Sequence, residues 1–169
     1  MRVDARRLAL SAAFASLYAV LVVALAPISF YAAQVRVADA LLPLSMLFGW
    51  PAILGLSIGC FVGNLFGLPG LAGLIDATLG SLANFVGCAL AYYVSRSLKH
   101  PLRFLAGSIV IVAVITLVVG SYLSPLLGLP LWVCISGVFI GSVVSVVLLG
   151  YLLLLAVRAS GMLNRYWVE

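Results

Sequence analysis

Apolar stretches long enough to be helices alternate along this chain with short polar or glycine- and proline-containing pieces, and nearly all charges fall in the short pieces. The first stretch runs from about Leu8 to Ile28, which meets the roughly 20 residues a bilayer requires, and Pro27 is read as its end. A polar connector, Ser29 to Asp39, follows. The second stretch, about Ala40 to Phe48, is too short to cross a membrane alone. It begins earlier, inside the connector, or is tilted or broken. Gly49-Trp50-Pro51 reads as a tight turn, with Pro51 suited to a first helical position. The third stretch is about Ala52 to Phe66. Gly55, Gly59, Gly63 and Gly67 recur there every four residues and predict one flat, close-packing helix face.

Gly67-Leu68-Pro69-Gly70 reads as a loop. A fourth stretch, about Leu71 to Val94, carries small residues at Gly80, Ser81, Ala83 and Gly87, an amide at Asn84, and Tyr92 and Tyr93 near its end, where aromatic belts form. The fifth runs from about Leu102 to Tyr122, a loop from Ser124 to Pro130, and the sixth from about Leu131 to Val157. This pattern predicts an all-α membrane protein: one domain over residues 1–169, with six transmembrane helices in a compact bundle.

Composition agrees. The chain is 66% hydrophobic and 8% charged, against about 25% charged in a soluble domain. A net charge of +5 does not indicate a nucleic-acid partner, because the basic residues are spread over several short segments. Arg6-Arg7 followed by an apolar run to Ala24-Leu25-Ala26 imitates a secretory signal. The run exceeds the usual apolar region of about 7–15 residues, and Pro27 follows the small-x-small triplet, so it is read as a retained first helix. Cys60, Cys88 and Cys134 stand alone in apolar stretches and read as packing residues.

Six spans put both termini on one side. With that side cytoplasmic, the inner segments hold Arg2, Arg6, Arg7, Arg96, Lys99, Arg103, Arg158 and Arg165, and the outer ones only Arg36, eight against one. The expected location is the plasma membrane, multi-pass, with cytoplasmic termini. That orientation gathers Gln34, Arg36, Asp39, Asn64 and Asp76 at the outer side. Apart from the terminal Asp4 and Glu169, Asp39 and Asp76 are the only acids. Two readings stand: an Arg36–Asp39 ion pair with Asp76 capping a helix, or an outward-facing pocket for a small polar molecule.

Other chemistry is missing. No Gly-x-x-x-x-Gly-Lys-Ser/Thr loop is present to cradle phosphate. The single histidine, His100, falls in the basic cytoplasmic loop, so no metal site, cofactor or catalytic constellation is expected, and the chain is not read as an enzyme. No inverted repeat suggests a self-powered transporter.

Ala26-Pro27-Ile28-Ser29-Phe30, then Gln34-Val35-Arg36-Val37-Ala38-Asp39-Ala40-Leu41 with Pro43, resemble the QueT-type queuosine-precursor transporter family. So do Gly59-Cys60 with Asn64-Leu65-Phe66, and Asp76 with Gly80-Ser81-Leu82-Ala83. The resemblance covers about Ala12 to Ala91. Family members often carry glutamate where this chain has Asp39. The resemblance implies the substrate-binding (S) component of an energy-coupling-factor transporter. Such a component binds a 7-deazaguanine base or nucleoside from outside and joins a membrane coupling subunit that carries two ATPases. It is thought to topple in the bilayer. The small face of the first span, Ala9, Ala13 and Ser16, would be the docking surface. Substrate binding would fall to Gln34, Arg36, Asp39, Asn64 and Asp76, with Phe30 or Tyr31 stacking. A carboxylate that accepts two hydrogen bonds from the N1–H and exocyclic amine of a guanine-like ring fits that chemistry. Two rival readings remain: an S component for another vitamin, and a membrane structural or assembly protein.

Overall fold

The computed structural model describes residues 4–29, 35–99 and 102–160, all helices, turns and short connections, with no strand among them. Phe30, Tyr31 and Gln34 lie outside the described residues, as do Arg2, His100, Arg165 and Glu169.

Helix α1 is Ala5–Ala24. Asp4 caps it, its carboxylate accepting a hydrogen bond from the Arg6 N–H at 3.1 Å. The break falls at Leu25, earlier than the expected end at Pro27. Proline has no N–H, and its ring crowds the carbonyl four residues back, here Val23. The chain therefore turns at Leu25 and resumes as a single turn, α2 (Ala26–Ser29), with Pro27 inside it.

The stretch that seemed too short to cross is a 3-10 helix, Val37–Leu44, running into α3, Ser45–Phe48. Its winding sets its length. At about 2.0 Å per residue in 3-10 geometry and about 1.5 Å in α, these twelve residues reach roughly 22 Å. Every residue from Ala38 to Leu44 is buried, and the element touches α1 as well as all the later long helices. The second stretch, with the last three residues of the expected connector, is thus the axis of the bundle. Gly49 ends α3 at φ +64°, and a Cβ there would sit 3.2 Å from the Tyr92 ring, so the turn needs glycine on both counts.

Helices α4 (Trp50–Asn64) and α5 (Gly70–Ser97) follow. α6 (Leu102–Leu127) runs through Pro125, where the sequence had suggested a loop from Ser124. A proline near the end of a membrane helix is tolerated when nearby groups satisfy the freed backbone. Here the turn comes later, at Gly128, closed by Leu129 N–H to the Ser124 carbonyl at 3.1 Å and Ser124 Oγ to the Leu129 carbonyl at 2.8 Å. The last apolar helix is continuous over Leu131–Ala159. It comprises α7 (Leu131–Ser142), a π-helical segment (Val143–Gly150) and α8 (Tyr151–Ala159).

Close packing follows the small residues. Gly55 meets the Ser11 carbonyl, a Cβ on Gly59 would lie 2.5 Å from the Ala15 carbonyl, and one on Gly63 2.9 Å from Val22 Cβ. The rising order of both partners shows that α1 and α4 run in the same direction. Tyr18, Leu42, Ile53, Leu56, Ile111, Leu123 and Leu154 fill the core.

Four helices are long and apolar enough to cross a membrane: Ala5–Ala24, Gly70–Ser97, Leu102–Leu127 and Leu131–Ala159. Val37–Phe48 and Trp50–Asn64 are apolar but shorter. The fold is that of an all-helical, multi-pass membrane protein.

Candidate substrate-binding site

The polar residues singled out in the sequence converge at the core. The 3-10 helix starts where the Asp39 N–H meets the Arg36 carbonyl at 2.9 Å, which sets Arg36 and Asp39 on its first turn. Both side chains are 5% exposed. A carboxylate in such surroundings needs donors, because an unmet buried charge costs several kcal/mol. Tyr18, from the buried face of α1, donates its hydroxyl hydrogen to Asp39 Oδ1. Asn84 of α5 donates from Nδ2 to the same Tyr18 oxygen at 3.0 Å. Asp39, Tyr18 and Asn84 thus form a relay across three elements.

A second cluster adjoins the first. Asp76 is not a helix cap, as one reading supposed. It is buried more than a turn inside α5, and Tyr122 of α6 donates to its Oδ1 at 2.7 Å. Asn64 Nδ2 donates to the Asp76 carbonyl at 3.2 Å, while Asn64 Oδ1 is buried with no hydrogen-bond partner among the described residues. Gly80 makes room, since a Cβ there would lie 2.8 Å from Asn64 Nδ2. Cys60 bridges the clusters: its sulfur lies 3.8 Å from Arg36 Nη1 and 3.7 Å from Asn64 Nδ2. All three cysteines are free and buried.

A cavity of about 10 Å³ opens against the first cluster, lined by Arg36, Asp39, Asn84, Ile115, Val119, Val138 and Ser142. That volume suits about one water molecule. Asn64 and Asp76 are not among its lining residues. Of the residues singled out in the sequence, Arg36 and Asp39 line this cavity. The sequence reading noted Asn84 without assigning it, and it gave no role to Tyr18, Tyr122 or the walls from α6 and α7.

On α1, Ala9, Ala13 and Ser16 are exposed, opposite buried Phe14, Tyr18 and Val22. Ala15, by contrast, lies under Gly59. The small residues therefore serve two faces, one packed on α4 and one open. The basic end of α8 meets the start of α6: the Arg103 and Arg158 guanidiniums lie 4.5 and 5.5 Å from the Phe104 ring, while Arg96 lies 4.4 Å from Tyr92 on its own helix.

Comparison with curated proteins and with solved structures finds no match. A family model described as the QueT transporter matches residues 8–159. That span takes in α1, the buried Arg36–Asp39 turn, both polar clusters and the helices that wall the cavity, so the chain belongs to the QueT transporter family, a family of membrane transporters and not of enzymes.

Proposed function

We propose that this protein is the substrate-binding S component of an energy-coupling-factor transporter, and that it takes up a queuosine precursor, a 7-deazaguanine base or nucleoside. The observation that carries the reading is the buried Arg36–Asp39 turn, with Tyr18 and Asn84, facing a cavity at the heart of the bundle. An acceptor carboxylate, a donor guanidinium and an amide around apolar walls suit a flat heteroaromatic ring with N–H and carbonyl edges. Asp39 accepts from the ring N–H and exocyclic amine, and Arg36 donates to a carbonyl or ring nitrogen. Gln34, Phe30 and Tyr31 complete the site from the adjoining segment, with Asn64 and Asp76 backing it.

The protein crosses the plasma membrane six times, with both termini cytoplasmic. Val37–Phe48 and Trp50–Asn64 are the two short crossings, embedded among longer helices. The eight-to-one distribution of basic residues supports this orientation. The open face of α1 at Ala9, Ala13 and Ser16 receives the membrane coupling subunit, which carries two ATPases. Small residues there let a partner helix approach closely.

The test is thermal stabilisation of the detergent-purified protein against queuine, the aminomethyl and cyano 7-deazaguanines, queuosine, guanine, riboflavin, thiamine and biotin. A ligand at 100 times its Kd adds about 2.7 kcal/mol. Stabilisation by a deazaguanine, lost in Asp39→Asn, is the expected result. Stabilisation by a vitamin alone would overturn the substrate assignment, and none by any ligand would favour a structural role for the polar clusters.

A further inference from the structure

Buried serines in these helices follow one habit. Ser57, Ser108 and Ser145 each donate their hydroxyl to the carbonyl one turn earlier, at 2.8, 3.0 and 2.9 Å. That bond satisfies the hydroxyl at little cost in an apolar setting. As Ser45 does, Ser142 departs from it. Its side chain is 4% exposed, lines the cavity beside Arg36, Asp39 and Asn84, and makes no hydrogen bond among the described residues. It is the only hydroxyl-bearing residue on that lining, in a wall otherwise made by Ile115, Val119 and Val138. Its Oγ is not among the fully enclosed unpartnered atoms of the described residues, so the hydroxyl keeps surface open to the cavity.

The backbone around Ser142 is also fixed. It is the last residue of α7, directly before the π-helical segment. That segment ends at Gly150, where a Cβ would lie 2.8 Å from the Ala40 carbonyl and 2.9 Å from Pro43 Cγ. Gly150 thus seats the π-helix against the 3-10 helix that carries Asp39. A π turn inserts an extra residue and re-aims the helix before it, a device frequent at functional sites. The two irregular elements together hold Ser142 and Asp39 on the walls of one cavity.

We propose that Ser142 is a specificity-determining residue of the substrate site, its hydroxyl forming a hydrogen bond with the polar ring edge that faces α7. This assignment rests on the substrate site proposed above. Because the hydroxyl bonds nothing among the described residues, its removal should leave the unliganded fold unaltered, and any effect should come through the ligand. In Ser142→Ala, the Kd for 7-aminomethyl-7-deazaguanine should rise fivefold to tenfold, about 1.0–1.4 kcal/mol, with the unliganded melting temperature unchanged. Ser136→Ala, on the exposed side of the same helix, serves as the control and should change neither value. Wild-type affinity in Ser142→Ala overturns the assignment alone. An equal loss in Ser136→Ala, or a drop in unliganded stability that matches the loss of binding, also overturns it, because the effect is then on the helix. Wild-type protein that binds no deazaguanine overturns the proposed function, and this assignment with it.

Discussion

At the scale of single residues, the site is built on one expensive group and the donors gathered to hold it. Asp39 is buried in the bundle core, and Tyr18 supplies a hydrogen bond that water would otherwise make. Tyr18→Phe keeps the ring and removes that bond, so it should cost about 1–3 kcal/mol of stability. Chemical denaturation in detergent measures this, and a loss below about 0.5 kcal/mol would show that Asp39 does not depend on Tyr18. The two acids should also separate. Asp39→Asn should weaken precursor binding at least tenfold, about 1.4 kcal/mol. Asp76→Asn should weaken it less, because Asp76 does not line the cavity and an asparagine oxygen can still accept from Tyr122. Equal losses in the two variants, measured by calorimetry, would put Asp76 on the ligand, as the sequence alone suggested. Arg36 and Asp39 were legible in the sequence because charge stands out against hydrocarbon. Tyr18, Tyr122 and Ser142 were not. Tyrosine and serine are ordinary in apolar helices, and the partner of Tyr18 lies 21 positions away, that of Tyr122 46. No local pattern carries such pairings.

At the scale of elements, what could be read was whatever repeats. The four-residue glycine spacing of Gly55, Gly59 and Gly63 announced a close contact, and α1 lies against it. Gly59→Leu should therefore disrupt the bundle, at a cost of about 3 kcal/mol or more, since its first carbon would meet a backbone oxygen that cannot rotate away. Ala13→Leu is the matched contrast. It falls on the open face of α1, so the melting temperature should hold while co-purification with the coupling subunit is lost. Normal co-purification would remove that face from the docking role. The 3-10 and π segments were not legible. Both are apolar runs, and hydropathy does not report the winding of the backbone within a buried run. The second stretch reads as too short to cross alone, and at Val37–Phe48 it remains shorter than the four long helices. Its tighter winding, and its burial from Ala38 to Leu44, are set by the helices around it.

At the scale of the whole molecule, the charge asymmetry and the packing tell one story. Arg103 and Arg158 both lie by the Phe104 ring, and Arg96 lies by Tyr92, at the far end of α5 from Asp76. If that end is cytoplasmic, Lys99→Cys should react with a membrane-impermeant maleimide only in inverted vesicles, and Leu68→Cys only in intact cells. The reverse pattern would invert the topology, and with it the direction of uptake. Fold class and multi-pass character were plain from composition, since 66% hydrophobic residues leave a soluble core with no surface to offer. The two short helices were the hard part. They are apolar but shorter than the other four, and a count of apolar residues does not settle their path.

The small size of the cavity has a consequence for the timing of uptake. A space that suits about one water molecule cannot admit a purine-sized ring as it stands. Under the proposed function, capture of such a ring therefore requires the cavity to widen, and its walls include Val138 and Ser142 of α7. Under that scheme the observed association rate climbs with ligand concentration and then levels off at the opening rate, and the apparent Kd exceeds the intrinsic one by the inverse of the open fraction. Val138→Ala, which thins a closed wall, should raise the plateau in stopped-flow fluorescence. A rate that stays linear in concentration would mean that the site is open before its ligand arrives.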